Sequence, residues 1–445
     1  MTRAVAAFVL IGSWAAIVPP PARAQGLPAV AADALVARCA AYVDGHFEEQ
    51  IALLESIVNV NSGTMNFEGV RAVGSLLGSE LSALGFEVRW VAAPGAVNRA
   101  GHLVASKTGR SGLRVLLLGH LDTVFPAAGA VRGFRRDGDR ITGHGVEDMK
   151  NGLVVLVSAL RTLAYVGALG DARITVVLTG DEEDVGVPES LSRDFLVHTA
   201  RAHDVVLSFE PGEPGVVVTT RRGFSGWRLA VGGQGGHSSR IFGDELGGGA
   251  VFEAVRILGA FYDQLRHEPY LTFNPGIIAG GTRVQQGTGT GEAMAFGKAN
   301  VVASEVIVEG DLRFLSDAQK QNVQARMLAI AARNLPRTRA TLTFDDSNPA
   351  MSPRPGNETL RRLYSDVSQA VGTGPLAAND PMTRGAGDVC FVSDLVSGAL
   401  DGLGGSGGGA HSDNEWLDVA SFRQATKRAA VFLHRLVTAP PPLRP

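Results

Sequence analysis

The chain has 445 residues, 45% hydrophobic and 19% charged, with 41 basic side chains against 44 acidic ones and a formal net charge of −3. This length accommodates two to three domains of about 150 residues each. The apolar content excludes a disordered chain, and the charge balance argues against a nucleic-acid binder, which carries a basic surplus.

Residues 1–24 read as a secretory signal. Arg3 precedes an apolar run from Ala4 to Val18, and Ala22-Arg23-Ala24 before Gln25 has the small-x-small form of a cleavage site. The run is shorter than the ~20 residues of a membrane span, and Pro19 to Pro21 end it. An exported protein, periplasmic or secreted, with no stable span after cleavage is the expectation. Cys39 and Cys390 are too few for a disulfide scaffold or a thiolate metal site, so a metal would be held by histidine and carboxylate.

From about Ala32 onward, helical and strand patterns alternate. Val73, Leu76, Leu77, Leu81 and Leu84 recur at helical spacing before Gly85. Arg114–Leu118, Ile174–Thr179, Val205–Phe209 and Val216–Thr220 read as strands, and Leu153–Val166 as a buried helix. This order predicts an α/β layer with a mostly buried sheet. A second unit is predicted from residue 222 to 347 in β-α-β-α order: strand Trp227–Val231, helix Leu246–Leu265, strand Val301–Leu315 and helix Gln321–Asn334. After Pro349 helices are expected at Glu358–Val371 and Ser421–Val437. The second unit is therefore read as an insertion into a first one made of residues 25–221 and 348–445.

Ligand sites in such sheets gather at the carboxyl ends of strands, and three segments there can do chemistry. In Gly119-His120-Leu121-Asp122, residues two apart point the same way, so Asp122 can sit beside the His120 ring. It also suits a plain cap after the strand. Gly143-His144-Gly145-Val146-Glu147-Asp148 leads into a helix, where Asp148 suits either a ligand or an N-cap. Asp181-Glu182-Glu183-Asp184 packs four carboxylates together, which calls for a cation or for solvent. Glu210, and His411 after the Gly-rich Gly402–Gly409, complete a set of oxygen and nitrogen donors that suits zinc.

The blocks around His120, Asp148, Glu182-Glu183, Glu210, His237 and His411 resemble the M20 family of zinc metallopeptidases, and within it the glutamate carboxypeptidase branch. The resemblance implies a mixed-sheet α/β catalytic domain with a smaller inserted α+β lid that serves dimerisation. It implies two zinc ions per subunit, bridged by Asp148, with His120 and Glu210 on one and Glu183 and His411 on the other. Glu182 would be the general base acting on a metal-bridging water, and Asp122 would orient His120. His237, in Gly235-Gly236-His237-Ser238-Ser239, would stabilise the oxyanion from the partner subunit of a homodimer. Asn300 and Arg313 would contact substrate, Arg313 through a free carboxylate.

The implied activity is cleavage of an amide beside a free carboxylate in a small peptide or N-acyl amino acid, releasing a C-terminal amino acid. An N-acyl-amino-acid deacylase or dipeptidase would use the same chemistry, and a non-catalytic exported binding protein is the remaining reading. The sequence departs from the family pattern at Glu147 and Asn151, in Ser347-Asn348-Pro349-Ala350, which offers no additional arginine, and at Asp388, which keeps part of a Gly-Gly-Thr-Asp-like block.

Overall fold

The computed structural model describes residues 29–128, 132–287 and 291–443; the expected signal segment lies outside them. One six-stranded sheet dominates. Its order is Glu87–Val91, His102–Thr108, Ala172–Thr179, Ser111–His120, Val205–Ser208 and Gly398–Leu400. The last four strands are mutually parallel, and His102–Thr108 joins them antiparallel, so the sheet is mixed.

Side-chain alternation explains why these strands read as unbroken apolar runs. Val115, Leu117, Ile174 and Val176 face a large core beneath the helices Phe47–Val58, Phe67–Ala83, Asn151–Tyr165 and Val419–Thr438. Leu116, Leu118, Val177 and Val206 face a second core with Leu196 and Ala200 of the helix Glu189–Ala200. Both faces are covered, as parallel strands require. Asn151–Tyr165 is buried along nearly its whole length because helices and sheet enclose it. Among the described residues no helix is long and apolar enough to cross a membrane.

Residues 223–346 form an antiparallel sheet in the order Thr272–Gly281, Glu305–Phe314, Gly223–Gly232, Arg339–Asp346. Gly223–Gly232 alternates strictly between buried and half-buried positions, and Trp227, Leu229 and Val231 pack against the helices Gly249–Leu265 and Asp317–Ala331. The simple β-α-β-α expectation is therefore incomplete. It missed the strands at 272–281 and 339–346 and a ribbon pairing Arg283–Gln286 with Ala293–Phe296. Val216–Thr220 is also corrected: only Val216–Val217 is a strand, and it pairs with Ala377–Ala378 outside the main sheet. Gly215 and the nearby Pro211, Gly212 and Pro214 leave too little regular backbone there for a ladder. Cys39 and Cys390 are both buried free thiols.

Candidate metal centre

The four parallel strands deliver their carboxyl ends to one place. His120 ends its strand, Glu182 and Glu183 follow Thr179, and Glu210 follows Ser208. Asp148 enters on the glycine-bordered loop before the helix Asn151–Tyr165. His411 arrives from the glycine-rich loop, with its own backbone left-handed at φ +63°. That loop needs glycine at Gly404, where a β-carbon would lie 2.8 Å from the Glu210 carbonyl.

Two donor groups result, and they share Asp148. His120 Nε2 lies 3.2 Å from Asp148 Oδ1 and 3.7 Å from Glu210 Oε1. His411 Nε2 lies 3.3 Å from Asp148 Oδ2 and 3.1 Å from Glu183 Oε2. Within each group the donor atoms all lie within 4.8 Å of one another, so each could hold one ion. The chemistry of the set fits divalent cations with mixed nitrogen and oxygen preference. Glu183 Oε1 is buried without a partner, as a carboxylate oxygen facing a cation site would be.

The charges are crowded. Burial pushes Glu210 up to about 8, with Asp148 adding to the effect, and burial also raises Glu183. Burial opposes the charged form of His120, yet hydrogen bonds to Asp122 and Asp148 hold its pKa well above the usual value. Hydrogen bonds to Asp148 and Glu183 raise His411 to about 10. Cations placed between these groups relieve the repulsion among the acids and favour neutral imidazoles.

Asp122 lies beside His120, and it does more than face the ring. The closest acceptor for His120 Nδ1 is the Asp122 main-chain carbonyl at 3.0 Å, with the carboxylate further away at 3.5 Å. The carboxylate instead accepts from the Thr64 hydroxyl at 2.7 Å and from the backbone N–H groups of Glu182 and Glu183 at 3.0 and 3.1 Å. One residue thus orients the ring and fixes the turn carrying both glutamates. That turn separates their roles: Glu183 joins a donor group, and Glu182 does not. Burial raises the Glu182 carboxyl well above the ordinary range.

Glu415 escaped the sequence reading. It is buried and accepts from the backbone N–H of Gly145, Glu147 and Asp148 at 2.8, 2.8 and 2.9 Å, so it cradles the loop that presents Asp148. The available signal was its position four residues after His411. Asn151 ties the same loop to the glycine-rich one: its Nδ2 donates to the Val146 and Glu147 carbonyls, and its Oδ1 accepts from Gly405 N at 2.6 Å. Glu415→Gln turns an acceptor into a donor facing an N–H. The expected loss is about 1–3 kcal/mol of stability and roughly 10–100-fold in metal affinity, read by denaturant unfolding and metal titration.

The remaining expected site residues are not brought to these groups within one chain. His237 is exposed, with Nδ1 2.8 Å from the Ser239 hydroxyl. Asn300 lies beside it and accepts from Ser238 N through its carbonyl. Arg313 pairs with Asp311 at 3.0 Å and stacks on Phe224. All these contacts stay within the inserted unit. His144 pairs with Asp413 and stacks on Phe125, Asp181 is sealed against Arg193, and Asp184 pairs with Arg99, so none of these three joins a donor group.

Fold and centre together define a metal-dependent hydrolase, with histidine and carboxylate donors at the mouth of a mixed α/β sheet. Residues 116–435 match the profile of "Peptidase family M20/M25/M40", and the chain belongs to that family. It is 27% identical over 389 residues to carboxypeptidase G2 of Pseudomonas sp., covering 85% of this chain and 87% of the relative. It is 25% identical over 392 residues to the succinyl-diaminopimelate desuccinylase of Leptothrix cholodnii, covering 84% and 94%. Aminopeptidase PepT of Bacillus cereus shares the fold at a TM-score of 0.70 and 17% identity, covering 87% of this chain and 98% of that one.

Proposed function

We propose that the chain is an exported dizinc exo-hydrolase that cleaves an amide next to a free carboxylate and releases a C-terminal amino acid. The observation that carries this reading is the pair of donor groups sharing Asp148, with a half-buried carboxyl, Glu182, held next to them by the bond of its backbone N–H to Asp122. Two divalent ions, when bound, supply the Lewis acidity that polarises the amide carbonyl and lowers the pKa of water. His120, Asp148 and Glu210 would hold one ion, and Asp148, Glu183 and His411 the other. Glu182 takes a proton from the attacking water and returns it to the leaving amine. Arg313 grips the substrate carboxylate through parallel hydrogen bonds, and Asn300 contacts substrate beside it.

The test is a hydrolysis screen of N-acyl amino acids and dipeptides with zinc and other divalent ions, metal being quantified in parallel. Free-acid substrates are expected to be cleaved and their C-terminal amides not; equal rates on both would refute carboxylate selection. Similarity to a desuccinylase favours N-acyl deacylation as the second reading, and the same screen separates the two. Export is tested by N-terminal sequencing of the mature protein, expected to begin at Gln25.

His237 is proposed to act across a homodimer. Support comes from an exposed apolar surface on the inserted unit. Val251, Phe252, Val255 and Tyr262 are exposed along one side of the helix Gly249–Leu265, and Ile278 is exposed on the edge strand Thr272–Gly281. An edge strand flanked by apolar side chains suits self-pairing about a twofold axis. His237→Ala is expected to lower kcat by about 10²–10³-fold, the loss seen when one oxyanion donor is removed, with metal content unchanged. Mixing it with a Glu182→Gln variant should restore activity through hybrid dimers. Absence of complementation would place His237 outside the partner's site.

A further inference from the structure

The chain leaves the main unit and returns to it at Arg221 and Met351, which exchange backbone hydrogen bonds of 3.1 and 3.0 Å. The Arg221 side chain points away from this crossing into the main unit. It is almost fully buried, and its Nε donates to the Asp401 carboxylate. One terminal nitrogen donates to the carbonyls of Gly385 and Ala386 at 3.1 and 3.3 Å. Asp401 is itself anchored, since its backbone exchanges hydrogen bonds of 3.0 and 2.9 Å with Val218. The guanidinium is therefore fixed at one edge, and the 385–386 carbonyls are fixed to it.

Gly387 comes next. A β-carbon there would lie 3.4 Å from Glu182 Oε1 and 3.5 Å from the Arg221 guanidinium carbon, so the two side chains close on this residue. Its φ of −172° is ordinary extended backbone and a β-carbon would only reach van der Waals contact, so alanine fits here while a branched side chain would press on both neighbours. On the other side Asp388 is held by Arg193 Nε at 2.7 Å and by the Thr179 hydroxyl at 2.6 Å. The turn is tied at both ends, and Glu182 lies against its middle.

We propose that Arg221 is a positioning residue. From the crossing between the two units it holds the turn Gly385–Gly387 against Glu182, and so sets where that carboxylate sits. The proposal rests on the reading of Glu182 as the base. It needs arginine specifically, because one planar fork serves a carboxylate and two carbonyls at once, whereas a lysine ammonium is a single point charge on a flexible stem.

The test uses a probe that requires no turnover. Cys390 follows the turn, is buried, and donates its N–H to the Gly387 carbonyl at 2.9 Å. In a Cys39→Ser background it is the only thiol, since the chain has two cysteines. Arg221→Lys is expected to speed Cys390 labelling by a disulfide reagent severalfold and to lower kcat by about 100-fold, the scale of a ~1 Å misplacement. KM and metal stoichiometry should stay near those of the parent, while the unfolding midpoint falls because the 385–386 carbonyls lose their donor. Gly387→Val, whose added branches exceed the 3.4–3.5 Å of contact room beside Glu182 and Arg221, should lower kcat with metal retained, and it decides the matter if Arg221→Lys does not fold. An unchanged labelling rate in folded Arg221→Lys, a kcat loss proportional to lost metal, or parental kcat in Gly387→Val would each overturn the proposal. If instead labelling accelerates while Glu182→Gln keeps full activity, the clamp is real and the base is another group.

Discussion

Glu182→Gln is expected to lower kcat by at least about 10²–10⁴-fold, the range for removing a positioned acid–base group. The amide keeps the side chain's shape and removes its basicity. The backbone N–H of Glu182 still donates to Asp122, so the turn presenting Glu183 is preserved. Metal stoichiometry should therefore match the parent protein, with KM changed little, because the group acts on the proton and not on the bound substrate. Elemental analysis and steady-state kinetics on one preparation check both halves. Parental activity would remove Glu182 from the reaction.

Asp148→Ala is expected to act on the other half of the centre. Asp148 is the one residue common to both donor groups, offering Oδ1 to His120 and Oδ2 to His411. Its removal takes a ligand from both ions at once. The loss in affinity should exceed the roughly 10–100-fold that follows from losing an outer partner such as Glu415. Titration calorimetry should find both binding steps weakened, and activity should vanish with the metal. Loss of one ion alone would show that Asp148 does not bridge. In the fold, Asp148 is backed by its loop's attachment to Glu415 and Asn151, so the variant should still fold.

Much of this centre is legible in the chain because strand ends concentrate it. His120, Glu182, Glu183 and Glu210 each stand at or just beyond a short apolar run, and the parallel direction of those strands brings their carboxyl ends to one end of the sheet. The inserted unit was harder to read. The strand Thr272–Gly281 contains Pro275, Gly276, Gly280 and Gly281, and its register shifts between Pro275 and Ile277, so neither composition nor alternation marks it as a strand. Arg339–Asp346 carries charge at both ends and is mostly exposed, as an edge strand is. Glu415 carried only its nearness to His411 as a signal, for another reason. Its partners are backbone N–H groups far away in sequence, and no side-chain pattern encodes them. The dual use of Asp122 was hidden similarly, since spacing places its carboxylate near His120 but cannot show that the main-chain carbonyl is closer.

The order of the donors along the polypeptide has its own consequence. His120, Asp148, Glu183 and Glu210 all precede the inserted unit, and His411 follows it. The second group needs His411 itself, and the first needs the Asp148 loop that Glu415 and the bond from Gly405 N to Asn151 hold in place, so both are completed only when the segment after the inserted unit docks. Such widely separated partners close slowly, because loop entropy is lost before any contact forms. A product truncated before residue 411 would lack a donor of the second group and the Glu415 support of the first, and is expected to bind metal weakly and to be inactive.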